Sequence, residues 1–273
     1  MTYVPALAGT GYFGWAALKR SQPLHTQALA NSAMIRRDED YFRAKIGGVR
    51  SADDLVNDRR LLRVALTAYG LEGDLGSKAF VKKVLTDGTL DPEALANRLS
   101  DKQYLKFSAA FGFGDFATPR TQMSDFADKT LALYRARSFE AAVGQTNGDY
   151  RLALNAEREL PALAGKSSSE DTKWYTILGN APLKTVMQTA LGLPSSVSTL
   201  DIDRQLALYK DRAKAVFGSD SVSQFTAPET MGKLIKTYHL RAEVAAYDGG
   251  SVRASAVIGM LSQSVAFARA QRP

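Results

Sequence analysis

The chain contains no cysteine and only two histidines, His25 and His239. The first absence removes disulfides, thiolate nucleophiles and cysteine-ligated zinc or iron–sulfur sites. It suits a reducing cytosol, and equally a protein exported unfolded. The second leaves few acid–base groups for chemistry at neutral pH. Sequence-local spacing assembles no metal site around either histidine, so no metal and no cofactor is expected. No run of about 18 apolar residues occurs, which predicts no membrane span. The N-terminus lacks a basic start and an unbroken apolar stretch, because Gly9, Gly11 and Gly14 interrupt it. No general secretory signal is expected. A basic tail is also missing. The 35 Lys and Arg residues are interleaved with 28 Asp and Glu, for a formal net charge of +7. Arg36-Arg37 is followed at once by Asp38-Glu39-Asp40, a balance that argues against a nucleic-acid-binding arm.

What the sequence does have is helix punctuation. A phrase of alanine, hydrophobe, glycine, hydrophobe recurs at Ala68-Tyr69-Gly70-Leu71, Ala110-Phe111-Gly112-Phe113 and Ala190-Leu191-Gly192-Leu193. Glycine there takes the left-handed backbone that ends a helix, and the next hydrophobe folds back on the last turn. Helical spacing extends from Leu55 to Tyr69, and Ser77 caps a helix carrying Phe80, Val81, Val84 and Leu85. Asp91-Pro92-Glu93 reads as the opening of another helix, and Ser100 with Gln103 as a capping box. A long helix is expected from about Ser124 to Val143, ending at Gly144. The next starts near Asn147 and is broken or kinked at Pro161. Beyond a polar linker at Gly165 to Ser169, Ile202 to Phe217 keeps three-four spacing up to Gly218. Thr226 and Glu229 form a second capping box, before Leu234, Ile235, Tyr238 and Ala242. A final helix is expected from about Val252 to Ala270.

No alternating strand pattern occurs, so the fold class is all-α: a compact multi-helix domain of short capped helices. The expected divisions are an N-terminal arm and helix over 1–48 and helical halves over 49–165 and 166–273, the two halves forming one unit. An offset of 122 residues aligns Leu55-Val56, Leu61, Val64, Thr67-Ala68 and Gly70-Leu71 with Ile177-Leu178, Leu183, Val186, Thr189-Ala190 and Gly192-Leu193. It also aligns Ser77, Phe80 and Val84 with Thr199, Ile202 and Leu206. The ungapped match across two helices points to an internal helical-pair repeat, and shared helix grammar is the alternative.

Few residues suggest chemistry. Gly9-Thr10-Gly11-Tyr12-Phe13-Gly14 spells a dinucleotide fingerprint, but no strand precedes it and no βαβ unit follows. It reads instead as a mobile glycine-rich arm, Met1 to Arg20, with Tyr12, Phe13 and Trp15 as adhesive side chains. His239 is expected at a helix surface or boundary. Glu140, before Ala141-Ala142-Val143, and Glu243, before Val244-Ala245-Ala246, are the only glutamates in settings apolar enough to suggest a glycosidase acid. No catalytic, cofactor or metal residue is assigned. The terminal segments, including the small-residue stretch with Arg253, Arg269 and Arg272, are the expected contacts to other proteins.

The run Asp53 to Leu62 leading to Ala68-Tyr69-Gly70-Leu71 resembles a bacterial family of domains of unknown function. The likeness continues through Phe80 to Leu85, Leu95 to Leu99, Phe107 to Phe113, Lys173 to Leu183, Thr189 to Pro194 and Val222 to Phe225. Members of that family are often encoded among flagellar genes, and some carry the label of a flagellar basal-body rod protein. Rod and hook proteins as a class have β-rich middles, which this chain lacks. The resemblance implies a flagellum-associated helical protein of undefined role; the favoured reading is a structural, assembly-related or export-related protein that is non-enzymatic. It would be cytoplasmic or exported by the flagellar apparatus, and would work by helix–helix contact. The alternatives are a peptidoglycan-cleaving helical enzyme of that system and a cytosolic chaperone or regulator of flagellar assembly.

Overall fold

Short polar side chains that occupy free backbone amides set where several helices begin, and glycines set where several end. A computed structural model describes residues 3–246, and among them no strand occurs. The helices are α1 (Gly11–Ala30), α2 (Ala33–Lys45), α3 (Ala52–Asn57), α4 (Arg59–Tyr69), α5 (Lys78–Asp87), α6 (Leu95–Arg98), α7 (Gln103–Phe111), α8 (Phe126–Gly144), α9 (Gly148–Ala164), α10 (Glu170–Leu178), α11 (Ala181–Leu191) and α12 (Ile202–Phe217). A further helix, α13, occupies 228–246. The all-α expectation holds. The stretch expected as a helix from Val252 lies outside the described residues.

The three repeated phrases end α4, α7 and α11, with Gly70, Gly112 and Gly192 at φ of 75°, 68° and 66°. At Gly70 and Gly192 the following leucine amide reaches back, Leu71 to the Leu66 carbonyl at 2.9 Å and Leu193 to that of Gln188 at 3.0 Å. That is the Schellman pattern. At Gly112 a single bond runs to the Ser108 carbonyl, at 2.8 Å.

Several boundaries differ from the sequence expectation. Leu55 to Tyr69 is two helices, because Asp58 adopts an extended backbone and accepts from the amides of Arg60 and Leu61 to start α4. Asp91 accepts from Glu93 N at 2.9 Å and makes a turn, so the helix after it is only the four residues of α6. Neither capping box forms. Asp101, not Ser100, takes the Gln103 amide at 2.9 Å, and the Thr226 hydroxyl donates to the Ser223 carbonyl instead of capping α13. Helix α9 runs through Pro161 to Ala164 without breaking.

Helices α8 and α9, joined by a tight connection, form the centre. Helix α4 lies along α8, and α11 lies along α9. Each of these flanking helices belongs to a matching series of elements. Asp58 caps α4 and Asn180 caps α11; left-handed Gly70 and Gly192 end them; a 3-10 turn follows at Glu72–Gly76 and at Ser195–Thr199; then come α5 and α12. Both caps and both glycines fall at the 122-residue offset. In each series the first helix also packs on the third, α3 on α5 and α10 on α12. The core between these elements holds Trp174, Tyr150, Tyr209, Phe42, Phe107 and Phe111, all fully buried. Each such side chain contributes on the order of 1.5–3 kcal/mol through burial.

The N-terminal arm is not a free segment. Gly11–Ala30 is a helix that buries Trp15 and Leu18. The preceding residues run beside it, with Tyr3, Pro5 and Leu7 less exposed than Val4, Ala6 and Ala8 between them. Tyr3 Oη lies 2.5 Å from His25 Nδ1, and Lys19 pairs with Glu157 of α9 at 2.7 Å. The charge run after Arg36-Arg37 is likewise partly internal. Asp38 is buried against Arg63 at 2.6 Å and Tyr134 Oη at 2.9 Å, and Glu39 makes two 2.5 Å bonds to Arg135.

Candidate functional site

Where the two halves meet, α7 on one side and α9, α10 and α11 on the other enclose a cleft of about 310 Å³. This is the lower end of the size range of small-molecule sites. Beside it an ionic cluster joins α7, α8 and α9. Glu140 of α8 forms a two-bond pair with Arg158 of α9, at 2.6 and 3.0 Å. Glu159 accepts from Lys106 of α7 at 2.5 Å and from Arg137 of α8 at 3.1 Å, and also contacts Arg158. Asn155, with its amide oxygen turned to the guanidinium groups, accepts from Arg137 and Arg158 at 3.0 Å each. Three cations thus face two carboxylates. Burial alone would raise the Glu159 pKa, but Lys106, Arg158 and Arg137 outweigh it and hold the group at about 2.

Glu140 is therefore not a carboxyl in an apolar pocket, the setting that raises a glycosidase acid. The alanines that follow it suggested that setting, but α9 supplies Arg158, which lies too far along the chain for local spacing to reveal. Glu243, the other candidate, is half-buried on α13 with its carboxylate against Gly11 at the start of α1. The structure does not bring the two glutamates into one cleft: Glu243 is absent from the walls of the cavity beside Glu140 and Arg158.

The glycine fingerprint proves to be a packing device. Gly9 and Gly11 have φ of 79° and 57°, and turn the chain into α1. A side chain at Gly14 would collide with Tyr150 Oη and the Gly9 backbone. Tyr150 Oη donates to the Gly11 carbonyl at 2.9 Å. This close approach seats Trp15 over His239, with ring centroids 5.1 Å apart, while Tyr150 and Tyr238 flank the same imidazole at 5.3 and 5.0 Å. His239 is consequently buried rather than at a surface, with Nε2 lacking a hydrogen-bond partner among the described residues. Burial lowers its pKa to about 4, against the opposing charge of Asp149.

Sequence reasoning missed a buried lysine. Lys173 is 3% exposed, and its ammonium donates to the Ala164 carbonyl at 3.0 Å, Glu170 Oε1 at 2.9 Å and Ser223 Oγ at 2.6 Å. Burial would raise Glu170, but its bonds to Ser223 and Lys173 bring it down to about 2. All three ammonium hydrogens have acceptors, and an ammonium carries no electron pair with which to activate Ser223. The group ties the end of α9, the start of α10 and the turn Val222–Thr226 together. The adjacent Trp174 Nε1 adds a bond to the Asp220 carbonyl at 2.7 Å. The signal available in sequence was the pairing of Lys173-Trp174 with Val222 to Phe225 in one family likeness, but it gave no contact.

Among the described residues no cluster of histidine and carboxylate side chains fit to hold a metal is present, and no helix is long and apolar enough to cross a membrane. No curated protein matches the chain. The crystal structure of a protein from Agrobacterium tumefaciens, solved by a structural genomics consortium, is similar with a TM-score of 0.71 and 26% sequence identity, over 88% of this chain and 98% of that one. A family model described as a protein of unknown function, DUF1217, matches residues 68–231, from the last turn of α4 to the first of α13, including the cleft and the Lys173 clamp. The chain belongs to the DUF1217 family of proteins of unknown function.

Proposed function

We propose that this chain is a non-enzymatic, flagellum-associated protein with a structural, assembly or export-related role, acting through helix–helix contact. The observation that carries the contact mode is the outer face of α1. Phe13 is 90% exposed and Leu24 68% exposed on a helix whose other side buries Trp15, Leu18 and Leu29. Their separation along the chain is about three helical turns, so they project from one side, with half-buried Ala17 and exposed Arg20 between them. Large apolar side chains left on one helical face are the pattern by which a helix is recognised by another helix. The flagellar assignment draws its support from the sequence phrases running from Asp53 to Phe225.

The test is to place a photocrosslinking amino acid at Phe13 in motile cells, alongside a Phe13→Ser, Leu24→Ser variant. The expected result is a crosslink to a flagellar component and reduced swimming of the variant, at unchanged protein level. Wild-type swimming by the variant, or crosslinks confined to proteins outside the flagellar apparatus, would overturn the proposal.

A further inference from the structure

We propose that the cleft between α7 and the wall of α9, α10 and α11 binds a small organic anion, a carboxylate or phosphate ester carrying a short apolar chain. The inference stands on the cleft itself and is independent of the flagellar reading.

Gln103 provides the first argument. It lines the cleft, is 8% exposed, and its side-chain amide has no partner among the described residues. Buried amides are normally satisfied, and an unpaired one that borders a cavity is available to a ligand oxygen or a water. The expected capping box at Gln103 does not form, because Asp101 takes its backbone amide, and the residue lines the cleft instead.

Charge provides the second. Lys102, Lys106 and Lys166 border the cavity, against Glu159 as its one carboxylate. Glu159 is already engaged by Lys106, Arg137 and Arg158, so it neutralises none of the remaining charge. Lys102 gives two hydrogens to the carbonyls of Asn97 and Leu99 and keeps a third. Lys166 has no ion pair or side-chain hydrogen bond among the described residues. The first turns of α7 and α11 border the space, and so do the last turns of α9 and α10, so the helix ends roughly cancel and the lysines supply the net charge. This arrangement repels cations and gives a neutral ligand no use for the lysines.

Apolar lining provides the third. Ala162, Leu163 and Leu183 form part of the wall, so the anion gains by carrying hydrocarbon. A cavity of 310 Å³ holds a chain of several carbons but no folded partner.

The experiment titrates the full-length ¹⁵N-labelled protein with hexanoate, hexyl phosphate and hexanol, and follows the Gln103 side-chain amide together with the Thr176 and Asn180 backbone amides. Saturable shifts from at least one anion are expected, with hexanol at least about tenfold weaker. Which anion saturates first identifies carboxylate or phosphate as the recognised group. Lys166→Glu, a change on the surface that leaves packing intact, should weaken the anion about tenfold. Gln103→Leu should weaken it further, with the folded spectrum retained. No saturation by either anion, equal binding of hexanol, or indifference to Lys166→Glu would each overturn the proposal.

Discussion

His239 makes the stability of this protein depend on pH in a window where its carboxylates contribute little. The imidazole is enclosed by Trp15, Tyr150 and Tyr238, and burial lowers its pKa from 6.5 to about 4. The unfolded chain takes up this proton near pH 6.5, whereas the folded chain resists until near pH 4. Between those values the unfolded state holds more protons, so stability falls as pH falls, by about 1.4 kcal/mol per unit. Above the window His239 is neutral in both states and contributes no slope; below it the slope ends. The total is about 3 kcal/mol. Glu159 and Glu170 act in the same sense but at lower pH. Each is held at about 2, so its stabilisation is complete above the ordinary value of 4.5 and is lost as pH falls toward 2. Urea unfolding of the wild type and of His239→Phe at about pH 7 and about pH 4.5 isolates the histidine, because the wild type should lose roughly 2.5 kcal/mol more. Phenylalanine retains the ring and removes the unpartnered Nε2, so the variant should be no less stable at neutral pH. Parallel curves for the two proteins, or an imidazole that titrates near 6.5 in the folded chain by NMR, would refute this reasoning.

Other substitutions probe the architecture. Gly192→Ala should cost about 1–2 kcal/mol in denaturant unfolding, because its φ of 66° is left-handed and a Cβ there approaches Arg241. Gly70→Ala should behave alike, since a Cβ there would stand 2.9 Å from Arg137 Cζ. Lys173→Ala should lower stability by about 2–3 kcal/mol, because it leaves Glu170, Ser223 and the Ala164 carbonyl without their shared donor. Trp15→Ala should cost about 3–5 kcal/mol and expose His239, measurable as a rise in its NMR pKa toward 6.5. Phe13→Ser should leave the unfolding midpoint within about 0.5 kcal/mol of wild type, because the ring is almost fully exposed.

Helix identity was legible because it is written locally. Gly70, Gly112, Gly192 and Gly218 announce helix ends through one backbone requirement, and each takes a positive φ. The 122-residue offset was legible for the same reason: its two copies share a cap, a glycine and a buried stripe. Boundaries failed where two polar residues competed for one amide, as Ser100 and Asp101 did at α7. The fate of α1 was obscured because three glycines suggest freedom unless Tyr150, some 140 residues away, is known to fill the space they leave. Charged residues misled most. Glu140 suggested an apolar pocket, and Asp38 and Lys173 look like surface groups in sequence, yet each is buried against a polar partner distant in the chain. The cleft was invisible because its walls come from four helices, and Gln103 had been assigned a different task.

The most direct test of the proposed role is fractionation of an epitope-tagged chain from wild-type cells and from cells lacking the flagellar export gate. Cytoplasm, medium and purified basal bodies are blotted side by side. The account predicts protein in basal bodies or medium of the wild type, and loss of that fraction without the gate. An identical distribution in both strains, with none in basal bodies, would contradict it.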